Sequence, residues 1–232
     1  MRYIPNFLTI CNLLSGCLGI VFVAEGSLNA GAYMIWLAAF LDFFDGLTAR
    51  ALKAYSNIGG ELDSLADMVS FGVLPSFIVY ELLKISLPPS LYYLSFMAFI
   101  IAAFSAIRLA IFNVDTRQTT SFIGLPTPAS ALLFSALPLS NIPIVQSLMN
   151  NTYFLILLVI LISYLLVARI ELMAFKFKNF SWQDNKLKYI FMIISLAMVF
   201  LLNIVAIPLV IVFYILISLF KKSLSSGAPK SS

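Results

Sequence analysis

"LDFFDGLTARALKAYSNIGGELDSLAD", residues 41–67, decides how the rest of the chain is read. Charged residues make up only 10% of the 232-residue sequence, yet this stretch gathers Asp42, Asp45, Asp63 and Asp67 with Arg50 and Lys53. Apolar runs flank it and recur to the far end of the chain. Runs of roughly 20 residues are long enough to cross a hydrocarbon core of about 30 Å as helices. With 62% hydrophobic residues and a mean hydropathy of +1.03, the chain reads as an integral membrane protein. Soluble domains carry about 25% charged residues. The expectation is one all-α transmembrane catalytic domain over residues 1–222 and a disordered cytoplasmic tail over residues 223–232.

Pro, Gly and charge signals divide the apolar sequence into about eight spans, near residues 7–24, 30–50, 58–82, 91–112, 127–146, 152–170, 187–203 and 205–220. The last two come from one apolar stretch too long for a single crossing, with Asn203 and Pro208 offering a turn. Eight spans put both termini on one side. All the cations except Lys84 then fall on that side, which makes it cytoplasmic and the protein a resident of the cell membrane.

Cys11 and Cys17 sit on separate faces of the first apolar run, so no disulfide framework exists, and the chain has no histidine. Whatever chemistry occurs must use carboxylates. The stretch ending at Cys17 has the look of a lipoprotein signal, but its apolar run continues through Val23 into further spans. No nucleic-acid partner is expected.

The topology places Asp42 and Asp45 at the cytoplasmic end of the second span and Asp63 and Asp67 at the start of the third. The midpoints of Asp45–Asp63 and Asp42–Asp67 nearly coincide, close to residue 54, so antiparallel helices carry the acids as two pairs of matched depth. Spacings of three and four residues put each helix's two acids on one face. A solvated polar rim accounts for one such acid. Four do not fit it, because each buried charge costs about 2.5–3.5 kcal/mol on insertion scales and neighbouring carboxylates repel. Arg50 and Lys53 supply at most two charges. An all-oxygen site suits two hard divalent cations, Mg2+ or Mn2+ with Ca2+ also possible, and two metals form a clamp for phosphoryl transfer. Gly46, Ala49 and Gly59 leave open surface where a ligand can reach the backbone.

The string D42-x2-D45-G46-x2-A49-R50-x8-G59-x3-D63-x3-D67 resembles the signature of the CDP-alcohol phosphatidyltransferase family, with every defining position occupied. The resemblance implies that a hydroxyl compound displaces CMP from a CDP-lipid. It implies that Asp42, Asp45 and Asp63 hold the metals, with Asp67 a further ligand or the catalytic base that takes the alcohol proton. Gly46, Ala49, Arg50 and Gly59 would surround the cytidine diphosphate, and Asn6 and Thr9 of "PNFLT" would approach the nucleotide; apart from the resemblance, the charge of Lys53 suits either a contact to the donor lipid's phosphate or a signal of topology.

"IRLAIFN", residues 107–113, and "FIGLPTPAS", residues 122–130, resemble segments of the family's phosphatidylserine synthase branch, although Ile111 stands where that branch usually carries a second arginine. The substrates so implied are a CDP-linked diacyl or archaeal ether lipid and L-serine. Arg108, Asn113 and Arg117 are the candidate serine contacts, since a carboxylate calls for a guanidinium. The resemblance also implies a homodimer. A rival within the family would use glycerol phosphate or inositol phosphate as acceptor. Rivals outside it are a divalent cation transporter and a structural scaffold; transport conflicts with acids confined to one membrane side.

Overall fold

The structure, a computed structural model, describes residues 3–54, 56–115, 122–172, 181–203 and 206–226. It is helical apart from one two-residue ladder. Helices α1 (Tyr3–Ala24) and α2 (Leu28–Ala51) form an antiparallel hairpin, followed by α3 (Asn57–Asp67), a π-helical turn (Met68–Val73) and α4 (Leu74–Ser86). A 3-10 segment (Pro89–Phe99) leads into α5 (Ile100–Val114). Beyond it lie β1 (Phe122–Ile123), α6 (Thr127–Leu139), α7 (Pro143–Met149), α8 (Thr152–Val167), β2 (Glu171–Leu172), α9 (Trp182–Leu202) and α10 (Ala206–Ser226).

Among the described residues five helical stretches are long and apolar enough to cross a membrane: Tyr3–Ala24, Leu28–Ala51, Ile58–Ser86, Pro89–Val114 and Asn185–Leu202. The expected single span over 127–146 is instead two helices, α6 and α7, meeting at 109°. Proline causes the break. Pro138 lies inside α6, and Pro143 drives the residue before it into an extended conformation, ψ 126° at Ile142. Helix α8 and the Ala206–Ser218 part of α10 are shorter apolar helices. The apolar stretch at the end does divide at Asn203, which takes a positive φ of 51°. Pro208 falls in the first turn of α10 rather than in the bend. Helix α10 runs to Ser226, and the rest of the expected tail lies outside the described residues.

Small residues bring the first helices together, as is usual where lipid supplies no hydrophobic drive between helices. A Cβ on Gly16 would stand 2.9 Å from the Ser70 Cα, and one on Gly19 would run into Leu74 and Met34. Glycine at both positions lets α1 lie against the π turn and against α2. The buried face of α1 is Pro5, Thr9, Asn12, Ser15, Gly16, Gly19 and Val23, while Phe7, Ile10, Leu14, Leu18 and Val21 point outward as a lipid-facing stripe. Gly26, at φ 86°, closes the α1–α2 turn, with Ser27 N–H donating to the Phe22 carbonyl at 2.8 Å.

The π turn has a local cause. Pro75 cannot donate to the Phe71 carbonyl, and its ring would collide with it in a regular α-helix. The backbone widens just upstream, and Leu74 N–H donates to Val69, five residues back. Phe71, Leu74, Ile78, Leu83, Ile101, Phe134 and Leu155 then fill the core beneath the acidic stretch.

Candidate active site

Helices α2 and α3 deliver the acids as their antiparallel arrangement requires, with one redistribution. Asp42, Asp63 and Asp67 each offer a carboxylate oxygen, and the three oxygens lie within 4.8 Å of one another. Asp45 turns toward α1, where Thr9 Oγ1 donates to its Oδ2 at 2.7 Å; the same hydroxyl is 3.0 Å from the Pro5 carbonyl. The quartet is therefore a trio plus a fourth acid held by Thr9, rather than two equal pairs. The short link between the helices keeps them in register: Ser56 caps α3 by accepting from Gly59 N–H at 3.0 Å.

Asp67 is buried, and Asn12 Nδ2 donates to its Oδ1 at 3.4 Å. Ser70 Oγ donates to the Asn12 carbonyl at 2.9 Å, which ties the π turn to α1 beside the acid. Sequence reasoning missed Asn12. Its signal was the recurrence of Asn6, Thr9, Asn12 and Ser15 every three residues in an otherwise apolar helix.

Among the described residues no lysine or arginine forms an ion pair with any of the four acids. Asp63 Oδ1 is buried with no hydrogen-bond partner among the described residues. Converging carboxylates with an orphaned oxygen in an apolar surround are a donor set that fits a hard divalent cation, and the trio is close enough to hold one.

Two cavities meet at this cluster. The first, about 290 Å³, is lined by Asn6, Thr9, Gly46, Ala49, Arg50 and Gly59 together with Asp45 and Asp63. These are the residues expected around the nucleotide, except Lys53, which takes a positive φ of 49° at the end of α2 and lines neither cavity. Gly46 is not a packing glycine: the nearest atom to a Cβ built there is Arg50 Nη2, 4.0 Å away.

The second cavity, about 440 Å³, is lined by all four acids, Arg50 and Phe43 on one side and by Arg108, Phe112 and residues 126–128 on the other. Asp45, Gly46, Arg50 and Asp63 line both cavities. Arg108 is buried, 5% exposed, with its guanidinium 5.6 Å from the Phe112 ring centre. Asn113 is exposed, accepts from Ser64 Oγ at 3.1 Å and lines neither cavity. Arg117 lies outside the described residues.

Residues 2–162 match the family model described as CDP-alcohol phosphatidyltransferase. The chain belongs to the CDP-alcohol phosphatidyltransferase family. It is a membrane enzyme of that family, and the resemblance read from its acidic string holds. The chain is 34% identical over 180 residues to the CDP-diacylglycerol–serine O-phosphatidyltransferase of Bacillus subtilis, covering 76% of this chain and 93% of that protein. A protein of the same name from Helicobacter pylori is 31% identical over 207 residues, 84% of this chain and 81% of its own length. The archaetidylserine synthase of Methanothermobacter thermautotrophicus is 33% identical over 141 residues, 60% of this chain and 58% of its own. The phosphatidyltransferase relatives thus bear out the serine branch read from residues 107–113 and 122–130.

Proposed function

We propose that this phosphatidyltransferase joins the phosphatidyl group of CDP-diacylglycerol to the hydroxyl of L-serine and releases CMP. The observation that carries the reading is the junction of two cavities at converging carboxylates, one cavity bearing the nucleotide residues and the other a buried arginine. The names of the relatives supply the same donor and acceptor.

In this reading the first cavity holds the cytidine diphosphate. Asn6 and Thr9 meet the nucleotide from α1, the bare backbone at Gly46 lets it approach α2, and Arg50 reaches the phosphates from the wall common to both cavities. Two divalent cations, Mg2+ or Mn2+, held by Asp42, Asp45, Asp63 and Asp67, would supply polarisation of the phosphate oxygens when bound. Serine occupies the second cavity with its carboxylate toward Arg108. An Asp67 carboxylate oxygen accepts the proton of the serine hydroxyl as the serine oxygen bonds to phosphorus and the phosphorus–oxygen bond to CMP breaks. Asn12 keeps the Asp67 carboxyl turned into the cluster.

The same reading takes the chain through the membrane eight times with both ends and the site facing the cytoplasm, because all the cations but Lys84 then share one side. The same reading takes the enzyme to work as a homodimer. The test is CMP release from CDP-diacylglycerol with L-serine, glycerol phosphate or inositol phosphate, each with Mn2+, Mg2+ or a chelator. Serine-dependent release abolished by chelation is expected; release only with a phosphorylated alcohol overturns the reading.

A further inference from the structure

The second cavity contains a buried cation held by a backbone group rather than by an acid. Arg108 Nε donates to the Leu125 carbonyl at 3.4 Å, and its Nη1 is buried with no partner among the described residues. A desolvated guanidinium with an unused N–H is unfavourable unless an anion completes it. Its aim therefore matters, and Leu125 sets that aim.

The position of Leu125 is fixed one residue earlier. Gly124 adopts φ +80°, and a Cβ there would stand 2.6 Å from the Leu166 carbonyl oxygen and 3.2 Å from that of Ala168. Only glycine lets this strand lie directly on the C-terminal end of α8. Gly124 N–H donates to the Ile170 carbonyl and Leu125 N–H to the Leu165 carbonyl, both at 2.9 Å. Immediately after this pinned pair, Pro126, Thr127 and Pro128 line the cavity opposite the acids.

We propose that Gly124 is a specificity-determining positioning residue: by seating the backbone on α8 it aims the Leu125 carbonyl at Arg108, whose guanidinium thereby receives the acceptor's carboxylate. The inference rests on the serine reading above and adds the device that selects a carboxylate-bearing acceptor. Phe112 supports the guanidinium from its face, so the aim is fixed from two sides.

The test uses the full-length protein in detergent with CDP-diacylglycerol, L-serine and Mn2+. Gly124→Ala should raise the KM for L-serine about tenfold, leaving the KM for CDP-diacylglycerol and Mn2+ affinity, read by electron paramagnetic resonance without substrates, within about twofold. Arg108→Lys keeps the charge but has no Nε–H for the Leu125 carbonyl; it should give the same selective rise, and it settles the matter if Gly124→Ala fails to fold. A purely structural role would move all three quantities together. Unmoved serine KM in the folded variants, or parallel change in all three, overturns the inference alone. A wild type with no serine-dependent CMP release overturns the functional reading and the inference with it.

Discussion

The α1–α2–α3 corner and the α9–α10 pair are built from similar apolar material and serve opposite ends. About a third of the most apolar stretch of Tyr3–Ala24 and more than a quarter of that of Leu28–Ala51 are buried, against about a tenth of Asn185–Leu202. In the corner, glycines bring backbones together, and Thr9 and Asn12 of α1 hold Asp45 and Asp67; between Asn185 and Ser218 there is no acid at all. Phe200, Leu201 and Leu196 of α9 are among the most exposed large side chains of the molecule. The family match ends at residue 162, before this pair begins. Charge can be held in a greasy chain only where packing is close enough to dictate where each carboxylate points.

Substitutions can break this contrast, beginning with the acids. Asp67→Asn should lower CMP release by about 10³-fold while the purified protein keeps its elution profile; near-normal turnover would remove Asp67 as the base. Next in size is Gly16→Ala, whose Cβ would press on the Ser70 backbone. Overpacking of this kind costs about 1–3 kcal/mol, to be seen as a lower melting temperature in detergent together with lost activity. Gly46→Ala sharpens the comparison, since open space surrounds that position. Stability should hold or rise by up to about 1 kcal/mol while the KM for CDP-diacylglycerol increases severalfold. Phe200→Ala, on the lipid-facing side of α9, should change stability by no more than about 0.5 kcal/mol and leave turnover alone.

Much of the corner was legible because it depends on local rules. Spacings of three and four residues on two antiparallel helices put Asp42, Asp63 and Asp67 together, and the fixed string put Gly46, Ala49, Arg50 and Gly59 around one cavity, which Asn6 and Thr9 of "PNFLT" complete. What escaped depends on contacts between distant segments. The turn of Asp45 toward Thr9 and the bond from Asn12 to Asp67 exist because α1 lies on the π turn, a juxtaposition no periodicity encodes. The right-angled break between α6 and α7 was signalled by Pro138 and Pro143 but masked by the length of the apolar run around them. Lys53, read from its charge as a lipid-phosphate contact or a topology signal, takes a positive φ just past α2 and lines neither cavity.

The widened turn at Met68–Val73 has a consequence for inheritance. Each residue advances a regular helix by about 100°, and the wider winding takes up one surplus residue, so Asp63 and Asp67 keep their facing relative to Leu74, Ile78 and Leu83 further along. Excising a single codon there would restore regular winding and leave the carboxylates turned toward α2, but it would press the Pro75 ring on the carbonyl four residues back. Length in this segment is therefore constrained through Pro75 rather than through the facing of the acids.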